Sequence, residues 1–299
     1  MNVQHSDIQH FANILKRGGV VAFPTETVYG LGAGVFHTAA IQRIFQVKGR
    51  PQDNPLIVHI SSLDQLPLIV SNLPPLFHKL AEKFFPGPLT VLLPKLEAVP
   101  NVVSANLPQV GVRMPAHLVA RQLIEAVGMP LVAPSANLSG KPSSTSAAHV
   151  RADFGDLIDG VIDGGPCHYG IESTVMTLSP FPQILRPGAI TQKELEEVLG
   201  IYIPYAESQA EKPLSPGMKY RHYAPLAKVV VFQTEHAFLS YLESAPPLKR
   251  LVLDRLNPQD FYALLRRADV EGYTEVVIFC DAVVQNNLGL MNRITRASQ

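Results

Sequence analysis

The chain has 299 residues, 46% of them hydrophobic, enough for one large domain or two ordinary ones, and its 25 basic and 25 acidic residues cancel. A zero net charge excludes bulk attraction to nucleic acid or membrane and leaves only a local basic patch open. Two distant cysteines, Cys167 and Cys280, form no metal-ligand or disulfide pattern; with no signal peptide and no apolar run of membrane-spanning length, the expectation is a soluble cytoplasmic protein.

Ser6 or Asp7 is placed to cap a first helix whose apolar face is Ile8, Phe11, Ala12 and Leu15, with Gly18 and Gly19 ending it. A short strand, Val20 to Phe23, leads into a glycine-rich turn, FPTETVYGLGAG, that lacks the Lys-Ser or Lys-Thr pair of a P-loop. Thr38 can cap a second helix carrying Ile41, Ile44 and Phe45, which Pro51 stops. Strands are predicted at Leu56–Ile60, Leu89–Leu93, Val110–Arg113 and Leu131–Ala133, and helices near 75–85 and 117–127. A hairpin, Thr174–Leu178 with Gln183–Arg186, and a helix from Thr191 to Leu199 follow. The mixture without strict alternation predicts a mixed α/β or α+β domain over residues 1–200.

Residues 201–225 are polar and proline-containing, a linker or ordered loop. Beyond them the pattern alternates: strand AKVVVF, helix 235–243, strand RLVLD, helix 258–267, strand TEVVIFC and helix 281–296. That predicts a small doubly wound α/β domain over 226–299.

Four polar clusters follow predicted strands or close a helix. In PTETVYGLGAG, threonine hydroxyls offer short uncharged hydrogen bonds, and glycines let backbone approach a ligand. VKGRPQDNPLIVHI places Lys48 and Arg50 two apart at a helix end, a clamp for polyphosphate or simply cations at a helix C-terminus; Asn54 and His59 follow, and His59 also fits a core position. GVRMPAH carries Arg113, able to hold a carboxylate bidentately or to form an ordinary ion pair. LVAPSANLSGKPSSTS crowds Ser135, Asn137, Ser139, Ser143, Ser144, Thr145 and Ser146 behind a strand, an anion cradle or a solvated loop. GIESTV adds Glu172, Ser173 and Thr174, and ILRPGAI adds Arg186. No GxSxG, HExxH or GxGxxG motif occurs, and the ten histidines are scattered; cationic and hydroxyl-rich loops suit a phosphorylated ligand.

PTETVYGLG, KGRPQDNPL, PGPLT, GVRMP, PSANLSGKPSSTS, IESTV and ILRPG together resemble, in order and spacing, the YrdC-like threonylcarbamoyl-AMP synthases across about residues 10 to 200. SPGMKYRHYAP and the α/β unit after it resemble the linker and second domain of the family's long form, although this second domain is short for it. The resemblance implies a twisted open sheet with a large positively charged cavity. It also implies a nucleotidyltransferase reaction in which L-threonine, bicarbonate and ATP, with Mg2+, give L-threonylcarbamoyladenylate and pyrophosphate. That product feeds N6-threonylcarbamoyladenosine formation at position 37 of tRNA through a separate transferase.

By the family's pattern Lys48, Arg50, Ser135 and Asn137 are the implied catalytic set, with Asn54, Ser143, Arg186 and Tyr223 as further ATP contacts. Thr27, His59, Arg113, Ser135 and Ser173 are the implied threonine pocket, with Thr25 as the alternative to Thr27. Ser215 to Tyr223 would form a lid touching ligand through Arg221, His222 and Tyr223. No protein-held metal is expected. Competing readings are a double-stranded RNA or tRNA-binding module, a carbamoyl-adenylate-forming relative from hydrogenase maturation, and a regulatory protein without catalysis. The first lacks support in the net charge, the second in the cysteine count, and the third in the intact Lys48, Arg50, Ser135 and Asn137.

Overall fold

The computed structural model describes residues 4–206 and 222–299. Helix α1, His5–Lys16, begins earlier than expected, after Gln4, and Asp7 serves inside the first turn by accepting the Gln4 N–H at 3.3 Å. Strand β1, Val21–Phe23, pairs antiparallel with β2, Gly30–Gly34, so the glycines expected in a turn form a strand and only 24–29 turn. Space dictates this. A Cβ on Gly32 would lie 2.7 Å from the Phe23 ring, and one on Gly30 would lie 3.1 Å from the Ala133 Cβ.

Helix α2, Thr38–Lys48, is preceded by His37 rather than Thr38 as its N-cap, and Gly49 at φ +59° reverses the chain directly after Lys48. Then come β3 (Ile57–His59), α3 (Phe77–Phe84), β4 (Leu89–Pro94) and the short α4 (Asn101–Ser104). These are followed by β5 (Gln109–Arg113), α5 (Leu118–Val127) and β6 (Leu131–Val132). Helix α6, Ala147–Phe154, was not foreseen. Ser146 of the serine cluster caps it, its hydroxyl accepting the His149 N–H. Strands β7 (Gly160–Val161), β8 (Thr174–Thr177) and β9 (Gln183–Arg186) and helix α7 (Gln192–Leu199), with Thr191 and Glu194 as a capping box, complete the first domain's regular elements.

Nine strands form one mixed sheet in the order β7-β1-β2-β6-β3-β5-β4-β8-β9. A large core that includes Tyr29, Ile41, Phe45, Phe77 and Met176 packs with it, and a second cluster joins α1 and α5 through Ile8, Leu15, Leu123 and Ile124. The chain after α7 stays with this domain: Ile203 is fully buried, and the Ile184 N–H donates to Pro204 O.

The second domain holds β10 (Lys228–Phe232), α8 (Glu235–Ser244), β11 (Arg250–Leu253), α9 (Pro258–Val270) and β12 (Glu275–Phe279). Its sheet is wholly parallel, in the order β10-β12-β11. The single helix expected over 281–296 is two, α10 (Ala282–Asn286) and α11 (Leu288–Ala297). The break is at Asn287, whose side chain accepts the Leu290 N–H at 2.9 Å and so starts a new helix. Val28 and Ile171 of the first domain share a core with Phe261, Tyr262, Leu290 and Ile294 of the second. The backbones also meet closely: a Cβ on Gly289 would lie 2.6 Å from Gly188 O.

Candidate functional site

One cavity, with an empty volume of about 700 Å3 including the space at its mouth, collects residues from every predicted polar cluster. Thr25 and Thr27 come from the turn between β1 and β2. Lys48 and Arg50 flank the reversal at Gly49, and Ser135 and Asn137 follow β6. His59 and Arg113 close the parallel neighbours β3 and β5 as a register pair, which puts them side by side. Ser173 precedes β8, Arg186 ends β9, and His222 and Tyr223 lead into the second domain.

The cavity is cationic although the chain is neutral. Among the described residues Lys48, Arg50, Arg113 and Arg186 line it, against the single carboxylate of Glu172. The Lys48 ammonium donates to the carbonyls of Ser135 (2.6 Å) and Asn137 (2.5 Å), tying the end of α2 to the PSAN loop. Burial, helped by the charge of Arg50, holds the Lys48 amine well below its ordinary pKa. Arg50 Nη2 donates to the carbonyls of Asn54 (3.3 Å) and Pro55 (3.0 Å), and burial lowers its pKa to about 10. Burial and then Arg113 lower His59 to about 3, so that ring is neutral, while burial and then Arg50 lower His222 to about 4. Arg186 Nη2 donates to Ser173 O (3.0 Å) and Oγ (3.3 Å).

Several buried polar atoms here have no hydrogen-bond partner among the described residues: Arg50 Nε, His59 Nδ1, Asn137 Oδ1 and His222 Nε2. Each orphan costs about 1–3 kcal/mol unless water or a ligand meets it. Clustered around four cations, they describe a site shaped for a polar, anionic molecule.

Arg113 differs from the expectation of a guanidinium held open for a carboxylate. Its Nη2 lies 2.7 Å from Glu26 Oε1, its Nη1 donates to Thr27 Oγ1 at 2.9 Å, and its Nε donates to Gly87 O. Burial raises the Glu26 pKa, but the Arg113 charge and hydrogen bond outweigh it and leave the carboxyl below its usual range. Asn54 and Ser143 do not line the cavity. Asn54 reaches it only as the carbonyl that holds Arg50, and the Ser143 hydroxyl is committed to Glu172 Oε1 at 2.6 Å. Ser215 and Arg221 lie outside the described residues.

Glu26 was missed as a charged partner because the expectation put only hydroxyls to use in PTETVYG. Glu172 lines the cavity beside Ser173 and is bound from behind by Arg293 and Tyr262 of the second domain. Nothing local in LGLMNRITRAS marks Arg293. A basic residue on an amphipathic helix reads as solvated, yet its side chain is fully buried.

Comparison with known proteins agrees with this geometry. A family model for the Sua5, YciO and YrdC proteins, described as "Telomere recombination", matches residues 13–188. A second, described as "Threonylcarbamoyl-AMP synthase, C-terminal domain", matches residues 190–254. A threonylcarbamoyl-AMP synthase of Pyrococcus abyssi is 48% identical over 99% of this chain and 95% of its own length. One of Bacillus subtilis is 48% identical over 77% of this chain and 68% of its own. The crystal structure of P. abyssi Sua5 complexed with L-threonine superposes with a TM-score of 0.92, covering 100% of this chain and 96% of that one, at 39% identity in the superposition. Escherichia coli YciO, at 24% identity and a TM-score of 0.58 over 65% of this chain and 95% of its own, shares the fold of the first domain.

Proposed function

The chain belongs to the threonylcarbamoyl-AMP synthase family, and from that premise we propose how its cavity makes L-threonylcarbamoyladenylate and pyrophosphate from L-threonine, bicarbonate and ATP. The observation that carries the reading is the set of four buried cations, with orphaned polar atoms between them, in a chain of zero net charge.

Two bonds form. The threonine amine attacks the carbon of bicarbonate with loss of water, or of carbon dioxide with loss of a proton from nitrogen, and either route gives an N-carboxylate. A carbamate oxygen then attacks the α-phosphorus of ATP in line, and the bond to the β-phosphate oxygen breaks, releasing pyrophosphate. No protein nucleophile is required; placement and charge stabilisation suffice, as is general for phosphoryl chemistry.

Lys48 and Arg50 are suited to the triphosphate. A phosphate oxygen would meet the third ammonium donor of Lys48 and the unpartnered Nε of Arg50, and would return the lowered pKa of both toward ordinary values. Asn137, Ser135, Arg186 and Tyr223 complete that wall; Asn54 and Ser143 act through Arg50 and Glu172. Thr27, His59, Arg113 and Ser173 form the amino-acid end, with Thr25, whose hydroxyl lies 2.9 Å from that of Thr27, beneath it. The threonine carboxylate would share Arg113 with Glu26. Neutral His59 can accept or donate there without adding charge.

Among the described residues no three His, Cys, Asp or Glu side chains group as a metal site. Mg2+ brought in with ATP would supply charge neutralisation beside Lys48 and Arg50. His222 and Tyr223 line the cavity and are suited to shield labile intermediates from water, as part of the lid expected from Ser215 onward. No helix among the described residues is long and apolar enough to cross a membrane. Use of the product in tRNA modification, by a separate transferase, supports a cytoplasmic location.

Pyrophosphate release, with threonine and bicarbonate omitted in turn and serine exchanged for threonine, tests the reaction. Release that needs both substrates is expected. Threonine-independent release, or salt-sensitive RNA affinity without turnover, would overturn it.

A further inference from the structure

Glu172 poses a physical problem. It is a buried carboxylate in the wall of a cavity that must admit a triphosphate and two carboxylates. A bare negative charge there would oppose every one of those ligands, because at low local dielectric like charges repel strongly. The carboxylate is ionised nonetheless. Burial raises its pKa, but Arg293 and Arg186 pull it below the ordinary range.

The second domain supplies the compensation. Arg293, on α11 and fully buried, donates through Nε to Glu172 Oε2 at 2.7 Å. Its Nη1 donates to Pro187 O at 2.8 Å, which anchors it one residue from Arg186. Tyr262, on α9, donates its hydroxyl to the same carboxylate at 2.9 Å. The guanidinium carbon of Arg293 also lies 5.6 Å from the ring centroid of Tyr223, whose ring is 5.4 Å from that of Tyr262. Tyr223 lines the cavity at φ +66°, a left-handed backbone that a non-glycine residue holds only when its surroundings impose it. Arg293 itself does not line the cavity, so any influence it has on ligand passes through Glu172 and Tyr223.

We propose that Arg293 is a positioning and charge-compensating residue for ATP: the second domain reaches into the rear wall of the synthase site to neutralise Glu172 and support Tyr223. The small domain is on this view part of the binding site rather than an appendage. Its absence would leave Glu172, among the described residues, with only Arg186 and Ser143 to offset its charge, and Tyr223 without the Arg293 and Tyr262 contacts. The proposal rests on the reading of the cavity as an ATP site.

A charge cycle on the full chain tests it, with ATP and threonine affinity each measured by calorimetry. Wild type that binds threonine but no ATP removes the underlying reading, independently of Arg293. Given ATP binding, Arg293→Met is expected to weaken ATP at least tenfold and threonine by less than threefold. Glu172→Gln is expected to tighten ATP. The Glu172→Gln/Arg293→Met pair is expected to return ATP affinity to within threefold of wild type. Should Arg293→Met fail to fold, Arg293→Gln takes its place, since it removes the charge while keeping a polar side chain. Equal loss of ATP and threonine in the Arg293 variant, or no recovery in the pair, would show a purely structural contact and overturn the proposal.

Discussion

The seam between the domains and the cavity beside it bury similar numbers of charged groups and treat them in opposite ways. At the seam Arg266 donates to Pro142 O, Ser143 O, Ser144 Oγ and Asp153 Oδ2, the last at 2.6 Å, and Glu172 is bound by Arg293, Tyr262 and Ser143. In the cavity Arg50, His59, Asn137 and His222 each keep a buried polar atom with no partner among the described residues, whereas of the seam groups just named only Arg293, at Nη2, does so. Charge satisfied by protein holds a structure together; charge left to be satisfied binds something else. The polar residues of 134–146 serve both regions. Ser135 and Asn137 face the cavity, whereas Ser143 and Ser144 belong to the seam.

The largest effect should come from the cavity. Lys48→Ala is expected to lower kcat by about 100–1,000-fold, the usual loss for one preorganised charge donor. Because it also removes a buried charge, the melting temperature should hold or rise. A large drop in melting temperature would instead place Lys48 with the seam.

Arg266→Met should do the reverse. It leaves the buried Asp153 with only the longer Lys141 contact at 3.4 Å as an ion pair and is expected to lower unfolding free energy by ~3 kcal/mol in urea, with KM for both substrates little changed. A KM effect as large as the stability effect would dissolve the distinction between the two regions.

Arg113 sits in the cavity yet is paired as seam residues are, so a single substitution mixes both effects. In a Glu26→Gln background, Arg113→Ala is expected to raise the threonine KM by about 10–100-fold, the worth of a charge-assisted contact at roughly 1.5–3 kcal/mol. The ATP KM should stay close to wild type. Equal changes in the two would move Arg113 out of the amino-acid end.

The smallest effect concerns acid. The folded-state pKa of His59, about 3, lies below its unfolded value of 6.5, so between these limits the unfolded chain binds more protons and stability falls as pH falls. His222 acts in the same direction. Unfolding free energy should drop from about pH 6.5 downward, by about 1.4 kcal/mol per such histidine near pH 5.5. His59→Gln is expected to flatten the slope, and an unchanged slope would show that acid acts through the carboxylates instead.

Most strands and helices were legible because each carries its own period. Leu89–Leu93 and AKVVVF read as strands from runs of apolar residues, and Gln192–Leu199 as a helix from its cap and its two-sided pattern. The misreadings are places where a neighbour distant in sequence decides, or where a side chain caps a helix that the periodicity does not mark. Gly30 and Gly32 lie in a strand because Phe23 and Ala133 occupy the space where side chains would go. Helix α6 has too little amphipathic pattern to stand out and depends on its Ser146 cap and on packing. Asn287 divides one expected helix by offering its own side chain to the backbone.

The sequence alone determined which residue types collect at the cavity: lysine and arginine around one turn, serine and asparagine behind one strand, a threonine pair after another. Those identities are local, set by spacing along one segment, and they suit a phosphorylated ligand; the amino acid entered only through the family resemblance. Only the tertiary structure decided who partners whom. Glu26 reaches Arg113 across 87 positions of chain, and Arg293 reaches Glu172 across 121. An ion pair is a matter of a few ångströms, and no period along a segment encodes a distance between two segments that the fold alone brings together.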